Sequence, residues 1–133
     1  MNNFDMLIVD TEDFNLNISK KVNDIWLEYR QLGPMDPEAC GVLIGEKYFE
    51  IERYGLVEIT VPQKEDRCSR MSFTLRDPEH QRTVDRLYKN SEGQLTYFGT
   101  WHTHPEKNLT LHTLILGTGR TVSYGIQNRG FFL

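Results

Sequence analysis

The sequence lacks the features that mark membrane, secreted and nucleic-acid-binding proteins. No apolar run approaches the roughly 20 residues of a membrane-spanning helix, and no secretory leader opens the chain. The formal net charge of −4 argues against a basic face dedicated to nucleic acid. With 133 residues, no internal repeat and no low-complexity linker, we expect one globular domain in the cytoplasm, with neither nucleic acid nor membrane among its partners.

Cysteine is scarce as well. The chain has two, Cys40 and Cys68, which lie far apart and without the spacing of a metal site. A free cysteine in a cytosolic protein is usually a small buried hydrophobe. We expect this of Cys40, which lies inside the apolar segment "ACGVLIG".

Acidic residues are missing from one end of the chain. All 19 lie at or before Glu106, whereas residues 107–133 carry Lys107, Arg120 and Arg129 and no acid. A basic tail can bind polyanions, but three scattered charges favour this weakly. Chance is a second explanation of this charge distribution, and the motif considered below provides a third.

The order of apolar and turn-forming residues predicts an α+β fold, in which helices pack on a mixed sheet. A strand is predicted over Phe4–Asp10, followed by an amphipathic helix with Asn17 as its N-cap and Gly33-Pro34 as its stop. Residues 39–62 are rich in β-branched side chains and predict two or three strands, with glycines such as Gly41 at tight backbone positions.

A second helix is predicted from Asp77, its N-cap, to Gly93, its terminator. The buried side of this helix is predicted to carry Val84, Leu87 and Tyr88. A bulky apolar strand over residues 94–102 follows, so the predicted order is β-α-β-β-β-α-β. The tail that comes next is β-prone and glycine-rich, without a clear helical period.

The candidate chemistry lies at the end of that last strand, where His102 and His104 are two residues apart. Alternation puts both imidazoles on one side of the strand, where they could share a metal ion. Catalytic zinc normally has three protein ligands and a water, so a surface histidine pair is the plainer alternative. Glu38, just before the segment 39–62, is a candidate general base, and an ordinary exposed glutamate is its plainer alternative.

Taken together, these residues resemble the JAB/MPN metalloisopeptidases, also called JAMM proteases. The likeness rests on a glutamate before C-G-x-L-x-G, then a helix, then a strand ending in H-x-H-P, and it covers roughly residues 5–106. It implies a mixed sheet flanked by helices, similar to the cytidine-deaminase architecture. It also implies Zn²⁺ as cofactor, His102 and His104 as two metal ligands, and Glu38 as the base that activates water.

The chain departs from the family motif after Pro105. In the family, six residues and then S-x-x-D follow H-x-H-P; the serine assists at the reacting carbonyl and the aspartate is the third ligand. Here the serine position falls on His112 and the aspartate position on Ile115. Isoleucine cannot bind a metal, so we expect weak zinc binding unless His112 replaces the missing ligand.

The genetic code offers an explanation for this departure. If the bases after Asn108 are read one position earlier, suitable codons restore the family pattern P-x-P-S-x-x-D-x-W; for example, ATH after a codon ending in G gives GAT, aspartate. We therefore divide the chain into a JAB/MPN core, residues 1–106, and an atypical tail, residues 107–133, that is out of frame. The positions that change are Leu109 and Leu111 (to proline), His112 (to serine), Ile115 (to aspartate) and Gly117 (to tryptophan).

Within the family, the short domain is similar to the JAB-domain isopeptidases of bacterial CBASS antiphage operons. The resemblance implies as substrate a cGAS-like nucleotidyltransferase (CD-NTase) that an E1/E2-type partner has conjugated to other proteins. Sulfur-carrier-processing JAB peptidases and a metal-free MPN scaffold that only binds partners are the alternatives. A zinc deaminase is rejected, because the chain has neither H-x-E nor P-C-x-x-C.

Overall fold

The computed structural model describes residues 4–10, 14–30, 38–48, 52–68, 73–106 and 109–127. These residues form one large sheet, a small two-stranded ribbon and two helices. In chain order the elements are β1 (Phe4–Asp10), β2 (Phe14–Ser19), α1 (Lys20–Glu28), β3 (Cys40–Tyr48), β4 (Glu52–Ile59), β5 (Arg67–Cys68), β6 (Phe73–Thr74), α2 (Glu79–Asn90), β7 (Thr96–Glu106), β8 (Leu109–Leu116) and β9 (Thr121–Gln127).

The large sheet has seven strands in the order β1-β2-β4-β3-β7-β8-β9. Strands β2 and β4 pair in parallel, and every other neighbouring pair is antiparallel. Helix α1 packs on β1, β2 and β4, whereas α2 packs on β3 and β7. The predicted mixed sheet flanked by helices is confirmed.

The main core lies between α1 and the sheet. Trp26 of α1 and Trp101 of β7 are both fully buried, with their ring centroids 6.1 Å apart. The Trp101 indole donates a hydrogen bond to the Thr60 carbonyl at 3.0 Å, which satisfies its polar edge in the core. A Cβ added to Gly41 would lie 2.0 Å from that same carbonyl oxygen. The position must therefore be glycine for β3 to lie this close to Thr60.

Helix α1 begins later than the sequence predicts. Asn17 was the expected N-cap but lies inside β2, paired with β1 on one side and β4 on the other. The cap is Ser19, whose hydroxyl accepts a hydrogen bond from the Val22 amide. The prediction was wrong because pairing on both strand edges holds Asn17 in an extended conformation. The expected Gly33-Pro34 stop lies outside the described residues.

Helix α2 lies within the predicted span, but its N-cap is Pro78 and not the predicted Asp77. It starts at Glu79, and the Asp77 carboxylate accepts from the Glu79 amide at 3.0 Å. Gly93, with φ +85, ends it by donating to the Tyr88 carbonyl. Tyr88, expected on the buried side, is 53% exposed, and His80 is the buried residue of the helix. Among the described helices, none is long and apolar enough to cross a membrane.

Candidate active site

His102 and His104 lie side by side on one face of β7. Their ring centroids are 6.0 Å apart and both side chains are half-buried. Two imidazoles on one tetrahedral zinc would have centroids about 5 Å apart, given Zn–N distances of roughly 2.0–2.1 Å. Trp101 and Thr103 alternate with them and are buried on the opposite face. The two imidazoles thus share one face, with centroids about 1 Å further apart than those of two imidazoles bound to one ion.

A bulge in β7 sets which way the histidines face. Leu43 pairs with Gly99 and Ile44 with Tyr97, so one extra residue of β7 is inserted between these pairs. Gly99 has φ +147, and a Cβ there would lie 2.3 Å from the Ile115 carbonyl oxygen. The bulge therefore depends on glycine, and the residues after it alternate so that the histidines face the α2 side of the sheet.

Glu38 precedes the strand that pairs with the histidines. Thr103 clamps this segment to β7, because its amide donates to the Ala39 carbonyl and its hydroxyl accepts from the Ala39 amide, both at 2.9 Å. Cys40 pairs directly with His102. Since directly paired residues share a face, Cys40 lies on the face of the histidines, and Glu38 precedes it by two residues. Glu38 is half-buried at this edge.

Cys40 is buried as predicted but is not a free thiol. Its sulfur is bonded to that of Cys68 in β5, and the two Cα atoms are 5.9 Å apart, a usual separation for a disulfide. The expectation of an unpaired cysteine was wrong, because the chain folds β5 back against the start of β3. The spacing of the two cysteines in the sequence does not predict this contact.

The pKa of His102 differs from that of an exposed histidine. Burial, and then the adjacent charge of His104, lower the pKa of His102 below its ordinary value. The neutral imidazole of His102 is therefore favoured near neutral pH. This is the form that can bind a metal.

Strand β8 lies next to the histidine pair and contributes Thr113 and Ile115 to the same face. Thr113 pairs with His102, and its hydroxyl oxygen is 3.4 Å from Nε2 of His104. Ile115 pairs with Thr100, which precedes His102 by two residues in β7, and Ile115 is 36% exposed. Ile115 thus lies on the same face as the two histidines, but it is not directly opposite either of them.

His112 points the other way, into the core. It is fully buried, with its ring centroid 5.2 Å from that of Trp26 and 6.0 Å from that of Trp101. Burial lowers the pKa of His112 to about 4, against a smaller opposite effect of the Thr110 and Trp26 backbone. His112 cannot replace the missing metal ligand, because it lies with its β7 partner Thr103 on the face of the sheet opposite the histidine pair.

A buried polar network lies on the α2 side of the sheet. His80 Nε2 is 2.5 Å from an Asp66 carboxylate oxygen, and His80 Nδ1 is 2.6 Å from the Thr60 hydroxyl. That hydroxyl accepts from the Val42 amide at 2.8 Å. We therefore assign the ring proton to Nε2, with the Thr60 hydroxyl donating to Nδ1. The network fastens α2 to β3 and β4.

Asp66 is the anchor of this network. Burial alone would raise the pKa of its carboxyl, but hydrogen bonds from His80 and from the Asp77 and Gln63 amides outweigh burial and hold the pKa below its ordinary value. The carboxylate also accepts from the Arg76 amide at 3.0 Å. Asp66 thus stays ionised and fixes the chain on both sides of β5 and β6.

A cavity of about 410 Å³ lies between α2 and strands β3 and β7. Its walls include Val42, Tyr97 and Thr100 from the sheet and His80 and Val84 from α2. Thr100 precedes His102 by two residues and shares its face, so the cavity adjoins the histidines.

Comparison of the sequence with known proteins identifies the family of the chain. The sequence profile of a family described as prokaryotic homologs of the JAB domain, Prok-JAB, matches residues 29–109. The chain belongs to this family. Curated relatives named CD-NTase/cGAS isopeptidase include proteins of Vibrio cholerae serotype O1 (strain ATCC 39315 / El Tor Inaba N16961), 34% identical, and Escherichia coli (strain TW11681), 31% identical, each over 106 residues that cover 80% of this chain and 67% of the relative.

A third curated relative bears the same name. It comes from Pseudomonas aeruginosa (strain BWHPSA011 / Pa011) and is 31% identical over 94 residues, which cover 70% of this chain and 58% of the relative. The shared name of the three relatives indicates that, within the Prok-JAB family, this chain is similar to the CD-NTase/cGAS isopeptidases.

The residues present do not make the complete zinc site that membership in the Prok-JAB family implies. Within the described ranges, no group of three or more His, Cys, Asp or Glu side chains is placed to hold a metal ion. His102 and His104 supply two nitrogens, Ile115 supplies none, and the Cys40 sulfur is bonded to Cys68. A catalytic zinc centre, with three protein ligands and a water, would need one more donor on this face.

Two residues of this Prok-JAB site were missed in the sequence. Thr113 lies across from His102 because β8 pairs with β7, and the β-prone composition of the tail does not predict the register of that pairing. Cys40 lies across from His102 for the same kind of reason. The motif C-G directly after Glu38 was the signal available for Cys40.

Proposed function

We propose that the protein is a Prok-JAB isopeptidase that hydrolyses an amide bond at the C-terminus of a conjugated protein. The proposal is supported by the position of His102 and His104 on one face of β7, next to the start of β3, which Glu38 precedes by two residues. The names of the curated relatives support a CD-NTase as the substrate. An E1/E2-type enzyme that makes the conjugate, in the same cytoplasm, is the partner we expect.

In this proposal Glu38 handles the proton. It would take a proton from the attacking water and pass it to the departing amine, as a general base and then a general acid. Its position at the end of a clamped segment, half-buried beside a cavity, suits this role. The cavity beside Thr100 has room for residues that flank the amide bond.

We further propose that the chain as written is impaired. The family's cofactor is zinc, and the third ligand is missing at Ile115. The profile match ends at residue 109, next to the point where the alternative reading frame begins. The absence of acidic residues after Glu106 supports the same conclusion. The tail, residues 107–133, would then be an out-of-frame continuation of a normal domain.

A cleavage assay tests both proposals. Three proteins are compared on an amide-linked CD-NTase fusion: the written chain, the chain translated in the alternative frame from codon 109, and that restored chain with Glu38→Ala. We expect cleavage from the restored chain only. Equal cleavage by the written chain would refute the frame argument, and cleavage by the Glu38→Ala variant would refute the role of Glu38.

A metal-free scaffold that binds partners is the second candidate. It is favoured by the incomplete ligand set and by Ile115, which leaves an exposed apolar side chain at the ligand position. Binding of an uncleaved CD-NTase conjugate by the written chain, with no cleavage by the restored chain, would favour it. Cleavage of a sulfur-carrier fusion in place of the CD-NTase fusion would favour a sulfur-carrier-processing peptidase.

A further inference from the structure

The two edges of the large sheet differ in how well they are protected against pairing with another molecule. Strand β1 forms one edge and β9 forms the other. The register of β1 with β2 shifts twice, and the strand includes Asp5 and Asp10. Bulges and charged residues are common means by which proteins prevent an edge strand from pairing between molecules. The β1 edge is therefore protected.

Strand β9 has neither kind of protection. Its 7 residues, TVSYGIQ, include no charged residue and no proline, and its register with β8 runs over the strand without a shift. Arg120, just before the strand, is directed elsewhere, because its guanidinium carbon lies 4.0 Å from the centroid of the Phe14 ring. Among the strands that the structure describes, none pairs with the outer side of β9.

The hydrogen bonds of the β8–β9 hairpin show which backbone groups lie on that outer side. The Leu116 amide donates to the Arg120 carbonyl at 2.8 Å, so Leu114 and Val122 form the next hydrogen-bonded pair. Alternate residues of β9, starting with Val122, therefore bond to β8. The residues between them direct their N–H and C=O groups outward, and they are Thr121, Ser123, Gly125 and Gln127. The first three of these are exposed.

We propose that β9 is a dimerisation edge, at which two copies of this chain pair their β9 strands antiparallel about a twofold axis at Tyr124. Thr121 then pairs with Gln127 of the second copy, and Ser123 pairs with Gly125. Each such pair exchanges two backbone hydrogen bonds, so the outward amides and carbonyls of β9 all gain partners. The two large sheets become one continuous sheet.

A second copy fits this edge better than an open-ended series of molecules does. A strand that pairs with itself is matched in length, twist and lack of charge, and a twofold interface closes after two copies. Pairing of β9 with β1 of the next copy would instead produce an open chain of sheets. The register shifts and acidic residues of β1 oppose that arrangement. In the closed dimer, the joined sheet ends on each side in a protected β1 strand.

The mass of the whole chain in solution, measured over a range of concentrations, tests the proposal. Sedimentation velocity, or light scattering coupled to chromatography, should show a concentration-dependent equilibrium between monomer and dimer. A monomer at every concentration up to the solubility limit would overturn the proposal. A series of growing oligomers would also overturn it, because that series is the product of open-ended pairing.

A proline variant identifies the edge. Ser123→Pro removes an outward amide and no hydrogen bond within the hairpin, so the fold can accept it on this side of an edge strand. The dimer loses one hydrogen bond per copy, and its dissociation constant should rise at least ~10-fold. Ser123→Ala keeps the amide and is the matched control, which should dimerise like the wild-type chain. If Ser123→Pro is folded by circular dichroism and dimerises as tightly as this control, the proposal is wrong.

Cysteine cross-linking tests the register without a proline variant. Cys40 and Cys68 are bonded to each other, so an introduced cysteine supplies the free thiol. Opposite residues of a hydrogen-bonded pair have Cα atoms about 5.5 Å apart, which is within disulfide range. Under mild oxidation, a mixture of Ser123→Cys and Gly125→Cys proteins should form covalent dimers faster than either protein alone. A Cβ at Gly125 makes only an ordinary contact, 3.4 Å from Leu109.

Thr118→Cys, on the exposed turn before β9, is the control for chance collisions. If the mixture cross-links no faster than this control, the register is wrong and the proposal fails with it. The outcome is independent of the cleavage assay. An inactive chain can form this dimer, and a chain that cleaves its substrate can be a monomer, so the dimer and the proposed function can fail separately.

Discussion

Three histidines lie close together on neighbouring strands, yet the two faces of the sheet give them opposite properties. His102 and His104 are half-buried on the α2 side, beside a cavity. His112 is fully buried on the α1 side, between two tryptophans. One step along a strand reverses the face, so residue type alone does not identify a metal ligand.

The difference arises from what covers each face. On one face, Trp26 of α1 packs on Trp101 of β7 and on His112 of β8, and all three side chains are fully buried. Helix α2 covers β3 and the first part of β7, and the end of β7 that carries the histidine pair stays accessible. The closed face should therefore govern stability, and the other face should govern binding.

The largest expected effect is on the closed face. Trp101→Ala removes a fully buried side chain that packs on Trp26 and His112, and should lower the free energy of unfolding by about 3–5 kcal/mol. His102→Ala, the adjacent residue on the other face, is the matched control and should cost less than ~1 kcal/mol. Urea unfolding measures both, and equal losses would show that the two faces do not differ as described.

The next effect concerns pH. The pKa of His112 is about 4 in the folded chain and roughly 6.5 when unfolded, so between these values the unfolded chain binds more protons. Stability should be constant above about pH 7 and fall as the pH drops towards 4, by about 3 kcal/mol in all. His102 and Asp66 act in the same direction, Asp66 at more acid pH.

His112→Leu isolates this contribution. The variant keeps an apolar side chain in the core and should show a shallower fall in stability between pH 6.5 and 5 than the wild-type chain. Parallel curves for the two proteins, measured by urea unfolding at each pH, would mean that His112 is protonated in the fold or exposed to solvent.

The smallest expected effect is a gain of metal affinity on the open face. Thr113 lies directly opposite His102 and 3.4 Å from a His104 ring nitrogen, whereas Ile115 lies diagonally. Thr113→Asp should therefore raise zinc affinity of the chain by about 10-fold or more, and Ile115→Asp by less. Chelator competition gives the comparison. A larger gain from Ile115→Asp would show that the tail takes up the family's conformation when the aspartate is present.

Much of the fold could be predicted because local patterns determine it. The strand over Phe4–Asp10, the glycine-punctuated strands of residues 39–62 and the helix from Asp77 to Gly93 follow from periodicity and turn chemistry. The errors have tertiary causes. Asn17 is held in a strand by pairing on both sides. In α2 the buried residue is His80, which bonds to Asp66 and Thr60, and Tyr88 stays exposed.

The candidate site was predictable in part. The spacing of His102 and His104 places both on one face, and the strand register brings the segment after Glu38 beside them. The bond of Cys40 to Cys68 and the approach of Thr113 could not be predicted, since both depend on contacts between segments far apart in sequence. His112 could be assigned to a face only once the pairing of β8 was known.

Strands β8 and β9 have one more consequence, for solubility. Without them β7 would be the last strand of the sheet, and its 11 residues would present unpaired backbone groups. An open edge of that length is a template for joining the sheets of separate molecules. A chain cut where the family match ends would be expected to aggregate, so β8 and β9 of the written chain shield β7 from self-association.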